Sequence, residues 1–380
     1  MKVYVDCLGC EQRKIEAQRI INYLKANHLE LTDSPDNCDC AILITCAVNS
    51  SKEDYSLSEI KDLSTKLSHS TYFLIGGCLP FISPNKLRCF HINNTFSPTN
   101  LEALDSIFHA SILMKEIEYP NKSIYDILSS NNYLLNEKVR TRGEYESAKR
   151  GFKIIINQGC LGTCSYCMIR KATGKVNSQQ RDKIIRQAKL GISSGEKTIM
   201  LIGGDTGAYG IDIGTSLYIL LEELISLSGN YKIFIHDFNI QWLIWDIEKY
   251  IRLFELDKDN RLRTICFPIQ SGSDRVLGLM KRPYRSEDVI SSLLSIRKIN
   301  PSLKIGTHIM IGFPSETEED FLLTLKLFKS IEFDFITCFP YSEHENAASF
   351  MIPNKVAYPI IENRMKIVSN FLHNKVKIIR

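Results

Sequence analysis

Residues 159–167 read Gly159-Cys160-Leu161-Gly162-Thr163-Cys164-Ser165-Tyr166-Cys167, three thiols at C-x3-C-x2-C spacing. Three thiolates can hold three irons of a 4Fe–4S cluster and leave the fourth iron open to another ligand. A structural zinc site wants four ligands, and no fourth cysteine or histidine stands nearby. Zinc and simple buried thiols remain the alternatives, and the spacing favours the cluster.

A second set is dispersed. Cys10, Cys46 and Cys78 each follow a short apolar run: Lys2–Asp6, Ala41–Thr45 and Thr71–Ile75. Such runs suit strands buried on both faces of a parallel sheet. Amphipathic segments at Lys14–Ala26 and Glu53–Leu67 separate them, and this βαβα alternation implies a parallel, doubly wound sheet. Ligands of such sheets sit beyond the carboxyl ends of the strands, so the three thiols would meet at one sheet edge. There they suit a cluster with an open coordination position. Cys7, Cys38, Cys40 and Cys89 do not fit this pattern and read as structural.

The chain of 380 residues carries twelve cysteines and a net charge of +4. Its length suggests two domains or more. No apolar run approaches the roughly 18 residues of a membrane span, and the N-terminus reads as a first strand rather than a signal peptide. The expected compartment is the cytoplasm, where structural disulfides are rare. The mild, spread charge permits an RNA partner without arguing for one.

The expected organisation is a Rossmann-like parallel-sheet domain over 1–108, a polar connector over 109–151, and a partial (β/α)6 barrel over 152–380. The connector holds Pro120, Ser129-Ser130-Asn131-Asn132 and Arg140-Thr141-Arg142-Gly143. Barrel strands are expected near Lys153–Asn157, Thr198–Ile202, Lys232–Ile235, Arg263–Phe267, Lys304–Met310 and Phe335–Phe339. Helices are expected near Arg181–Ser193, Ser216–Ser226, Trp242–Leu253, Ser286–Ile299 and Glu318–Ser330, with a last one over Pro359–Lys375. Chemistry in β/α barrels sits at the carboxyl ends of the strands. The loops there hold Gly203-Gly204-Asp205-Thr206, His236-Asp237-Phe238, Gln270-Ser271-Gly272, Ile311-Gly312-Phe313 and Pro340-Tyr341-Ser342-Glu343.

The C-x3-C-x2-C loop with its aromatic Tyr166 resembles that of the radical S-adenosylmethionine superfamily. Over nearly the whole chain the resemblance narrows to its methylthiotransferase family. It is carried by Gly9-Cys10-Glu11-Gln12, Ile44-Thr45-Cys46, Gly77-Cys78-Leu79, Asp205-Thr206-Gly207-Ala208-Tyr209-Gly210, Gln270-Ser271-Gly272-Ser273-Asp274, Met280-Lys281-Arg282-Pro283-Tyr284 and Gly312-Phe313-Pro314-Ser315-Glu316-Thr317.

The resemblance implies two 4Fe–4S clusters. Cys160, Cys164 and Cys167 would hold the one that cleaves S-adenosylmethionine to a 5′-deoxyadenosyl radical. Cys10, Cys46 and Cys78 would hold an auxiliary one that carries the sulfur, so that an unactivated C–H becomes C–SCH3. Tyr166, Gly203, Gly204, Asp205, Thr206, Asp237, Gln270, Ser271 and Ile311 are the expected S-adenosylmethionine contacts. A flavodoxin or ferredoxin is the expected electron donor, with no membrane partner.

Three departures bear on substrate. The family's Ile-Pro-x-x-Arg-Gly is Ile169-Arg170-Lys171-Ala172-Thr173-Gly174 here, a histidine expected before the Gln-Ser-Gly block is Cys266, and the late Tyr-Ser-x-Arg motif is Tyr341-Ser342-Glu343-His344. Family members typically end in a small β-rich domain, whereas this sequence stops after one helix. Basic residues Arg364, Lys366, Lys375, Lys377 and Arg380 there could touch phosphates, although a solvated helix face is the plainer expectation. A peptide or protein side chain, such as a ribosomally made precursor peptide, is therefore the favoured substrate. A tRNA adenosine, or a one-cluster enzyme without sulfur insertion, is the alternative.

Overall fold

The computed structural model describes residues 1–124, 151–372 and the backbone of 376–378. It divides into two compact units, Met1–Ile155 with Met168–Gly174, and Ile156–Cys167 with Lys175–Arg380.

The first unit is built on β1 (Lys2–Cys7), β2 (Glu30–Thr32), β3 (Cys40–Thr45), β4 (Tyr72–Gly77) and β5 (Asn94–Thr95). Every neighbouring pair is parallel, in the order β2-β1-β3-β4-β5. All six residues of β3 are buried, as a central strand covered on both faces requires. Helices Glu11–Ala26 and Ser50–Ser64 make the crossovers. Ile20, Tyr23 and Leu24 of the first helix pack with Val3, Ile42, Ile44 and Leu74 in one core.

That core also takes in Met114 and Ile124, with Ile117 packed against it. Residues 109–124 were expected in the connector. The structure corrects this: their apolar side chains find room on the first unit's core. Ser129-Ser130-Asn131-Asn132 and Arg140-Thr141-Arg142-Gly143 lie outside the described residues.

Next come β6 (Phe152–Ile155), β7 (Asn157–Gln158), β8 (Asn177–Ser178), β9 (Thr198–Ile202), β10 (Lys232–Ile235), β11 (Leu262–Gln270), β12 (Lys304–Ile311), β13 (Phe335–Pro340) and β14 (Val376–Ile378). One seven-stranded sheet runs β6-β9-β10-β11-β12-β13-β14, in sequence order as an open barrel is wound. From β9 to β14 each pair is parallel. The expected six-stranded sheet thus gains a seventh strand.

The helix expected over Trp242–Leu253 is two, Gln241–Trp245 and Ile247–Leu256, broken at Asp246. Arg364 does not face phosphates. It is buried and paired with Glu316 at 2.9 Å and Glu318 at 3.0 Å. Lys375 and Arg380 lie outside the described residues, as does the side chain of Lys377.

Candidate active site

In the first unit, register brings the cysteines together. Cys7 pairs with Ile44 and Ile44 with Gly76, so β1, β3 and β4 end level. Cys10, Cys46 and Cys78 stand two or three residues past that row. Cys10 is the extended residue that starts helix Glu11–Ala26. The Ser56 hydroxyl holds Cys46, accepting from its N–H at 3.1 Å and donating to its carbonyl at 2.7 Å. The Cys78 N–H donates to the Thr45 carbonyl at 3.1 Å. Just before it, Gly77 sits at φ +91°, and a Cβ there would lie 2.3 Å from the Thr45 oxygen, so only glycine fits.

Burial pushes the Cys46 thiol up to about 11, with Cys10 adding repulsion. Cys78 is raised further by burial, against the pull of Arg13 and with Cys46 and Cys10 adding to it. Metal ligation takes the deprotonated thiolate, so binding at these thiols would release protons. Beside the thiols lies Arg13, fully buried, its Nη2 2.7 Å from Glu16 Oε1 and its Nη1 without a hydrogen-bond partner. Lys153, also fully buried, pairs with Glu11 at 2.6 Å and so anchors the residue next to Cys10.

In the second unit the three thiols share one loop, pinned at its base by the antiparallel β7–β8 ladder. The Gly162 N–H donates to Cys160 Sγ at 3.2 Å. A Cβ at Gly162 would stand 3.3 Å from that sulfur and 3.6 Å from Cys164 Sγ, so both sulfurs flank this glycine. Burial raises the Cys160 thiol to about 12, reinforced by Asp205 and by Cys167 and Cys164. Ser165 ties the loop to the following segments through Met280 O at 3.1 Å and Leu279 O at 2.8 Å.

Tyr166 is held by Arg282, whose Nη2 donates to the phenol oxygen at 2.7 Å, and its ring stands edge-on to Phe313. Arg282 Nε is buried without a partner. In the sequence only the resemblance marks the segment 280–284, and the contact of Arg282 with Tyr166 emerges from the fold.

The expected S-adenosylmethionine contacts divide into two groups. Gly204 lets the backbone pass Gly159, whose oxygen would be 2.2 Å from a Cβ, and Gly203 lies as close to Asn157 Oδ1. Asp205 is buried, which raises it to about 6, and accepts from Trp242 Nε1 at 2.9 Å, Gly207 N at 3.2 Å and Asn239 N at 3.3 Å. The Thr206 hydroxyl donates to His236 O at 2.6 Å. These two side chains, with Ser271 near Thr324 and Ser273, organise loops. Ile311 is wholly buried. Gln270 differs: at φ +82°, its buried Oε1 has no partner. Asp237, at φ +49° and half exposed, stands 3.9 Å from His308 Nδ1.

His308 went unnoticed in the sequence. Its Nε2 is 3.5 Å from Cys266 Sγ, so β12 brings an imidazole beside the place where the family pattern has one on β11.

Among the described residues, no three His, Cys, Asp or Glu side chains are spaced for a single metal ion. Ligands of one tetrahedral zinc lie roughly 3.8 Å apart, given Zn–S bonds of about 2.3 Å. Three thiols in each set are the donor type that a cluster takes, one thiolate to each of three irons. Both sites also carry a buried guanidinium N–H lacking a partner, which fits an anionic occupant.

The Radical SAM superfamily profile matches residues 154–328, and "Uncharacterized protein family UPF0004" matches residues 2–95. A probable threonylcarbamoyladenosine tRNA methylthiotransferase of Methanocaldococcus jannaschii is 30% identical over 91% of this chain and 77% of its own. The ribosomal protein uS12 methylthiotransferase RimO of Prosthecochloris aestuarii is 26% identical over 96% of this chain and 80% of its own. In fold, the radical S-adenosylmethionine methyltransferase TsrM of Kitasatospora setae matches with a TM-score of 0.64 at 11% identity, over 92% of this chain and 77% of that one.

Proposed function

The chain belongs to the radical S-adenosylmethionine methylthiotransferase family, and from that premise we propose that it methylthiolates an adenosine of tRNA. The enzyme class and its cofactors, two 4Fe–4S clusters and S-adenosylmethionine, come with the family. The observation that carries the reaction is the presence of two separate three-thiol sites in one chain. The tRNA reading follows the 30%-identical relative named for such a substrate. A protein side chain is the second reading, favoured by the RimO relative. The peptide preference drawn from the sequence moves behind both.

When bound, the first cluster would supply the electron that cleaves S-adenosylmethionine to the deoxyadenosyl radical, and the second would supply the sulfur. Cys160, Cys164 and Cys167 would hold the first cluster; Cys10, Cys46 and Cys78 would hold the second. Around them the chain's own residues orient and exclude. Tyr166 and Phe313 wall the loop against water. Gln270 Oε1 offers an acceptor to a hydroxyl or ammonium donor. Asp237 presents a polar group just beyond the carboxyl end of β10, where barrel substrates enter, and His308 reaches it from within β12. We assign the remaining expected contacts, Gly203, Gly204, Asp205, Thr206, Ser271 and Ile311, to shaping this surface.

The test is anaerobic incubation of the reconstituted enzyme with S-adenosylmethionine, a reductant and unmodified tRNA or uS12, followed by mass spectrometry of nucleosides and peptides. A methylthioadenosine nucleoside supports the proposal. Methylthiolation of uS12 alone replaces it with the second reading.

A further inference from the structure

The charges buried beside Cys10, Cys46 and Cys78 do not balance among themselves. Arg13 lies one helical turn after Cys10, fully buried, and Gly9 makes room for it: a Cβ on Gly9 would be 2.3 Å from Arg13 Cβ. Glu16 satisfies only Nη2 of Arg13, leaving Nη1 without a partner. Glu16 also interacts with Arg19, a second buried cation bonded to Met114 O at 2.8 Å and Ile117 O at 2.7 Å. Two buried guanidinium groups thus share one carboxylate. Glu16 itself is pushed up to about 7 by burial, which weakens its compensation further.

A buried cation left uncompensated is destabilising, so this arrangement favours an anion beside Arg13. Among the described residues, the groups that interact with Arg13 include, besides Glu16, the sulfurs of Cys78 and Cys10 and the phenol of Tyr119. The carboxylate of Glu11 is already engaged by the buried Lys153.

We propose that Arg13 is a positioning residue of the auxiliary site: it supplies a hydrogen-bond donor and a positive charge to the anionic cluster that Cys10, Cys46 and Cys78 hold, and so raises its reduction potential. This rests on the assignment of that cluster to these three cysteines. Adding an electron makes the cluster more negative, and a fixed cation favours that state. Glu16 must act in the opposite direction through Arg13.

The experiment uses the full chain carrying Cys160→Ala, Cys164→Ala and Cys167→Ala, so that only the auxiliary cluster remains. Iron analysis comes first. About four irons keep the cluster assignment; their absence removes it, and the role of Arg13 with it. The midpoint potential is then read by electron paramagnetic resonance for Arg13→Gln, Arg13→Lys and Glu16→Gln in that background.

Arg13→Gln should shift the redox equilibrium about tenfold toward the oxidised cluster, some 59 mV for a one-electron couple. Arg13→Lys should keep most of the parent value, and Glu16→Gln should shift it upward. An unchanged potential in Arg13→Gln, or shifts of the same sign in Arg13→Gln and Glu16→Gln, would overturn the proposal. If Arg13→Gln holds no iron, the lysine variant decides: iron retained supports a charge role, iron lost refutes it.

Discussion

Cys160, Cys164 and Cys167 stand within eight residues of one loop, whereas Cys10, Cys46 and Cys78 come from the ends of three strands spread over 69 residues. The first set needs only a pinned loop, supplied by the β7–β8 ladder and by Ser165. The second needs a whole sheet in register, with β1, β3 and β4 adjacent and ending level. Each site keeps a buried arginine, but with different partners. Arg282 meets a neutral phenol, Tyr166, and Arg13 meets a carboxylate, Glu16. One site therefore keeps the full charge of its arginine, and the other moderates it.

The strongest test of this contrast is removal of either cysteine set. Wild-type protein should hold about eight irons and each triple alanine variant about four. Without the loop cysteines no S-adenosylmethionine cleavage should remain. Without Cys10, Cys46 and Cys78 cleavage to 5′-deoxyadenosine should persist while methylthiolation stops. Equal iron in wild type and the latter variant would sink the second site.

Next in size is Arg282→Gln, which leaves the Tyr166 phenol buried without its donor. It should cost about 3 kcal/mol in thermal or urea unfolding and lower cofactor cleavage, leaving the first unit's iron in place. Gly77→Ala inverts the pattern. Strain at positive φ and the clash with Thr45 should cost about 2–4 kcal/mol, and the iron lost should be the auxiliary four. Smallest is Cys40→Ala, a wholly buried thiol on β3. It should cost about 1 kcal/mol and leave all eight or so irons; loss of iron there would show that Cys40, too, serves the cluster.

Both cysteine sets stand out in the sequence, one by its fixed spacing and the other because each thiol follows an apolar run; the clusters assigned to them belong to the proposal. Strands Thr198–Ile202 and Lys232–Ile235 and helices Arg181–Ser193, Ser286–Ile299 and Glu318–Ser330 were legible to the residue, because apolar periodicity and flanking polar residues agree there. β2 and β5, of three and two residues, carry too few side chains to show a period.

Arg13, Arg282 and His308 were invisible for a different reason. A charged residue buried beside a thiol looks in sequence like any surface charge, and only tertiary packing decides which of them lose their water. Asp205 shows the converse. Its place at a strand end suggested a ligand, yet three donors already occupy its carboxylate.

The level row of strand ends bears on how the protein is made. A growing chain carries the whole 160–167 ligand set as soon as those few residues emerge. The auxiliary set is complete only after residue 78, and only when two crossover helices have closed and β1, β3 and β4 have aligned, each closure carrying its own entropy. If those three thiols hold a cluster as proposed, iron delivery to them has to wait for a finished sheet, and a fault in strand alignment would be registered as a missing cluster.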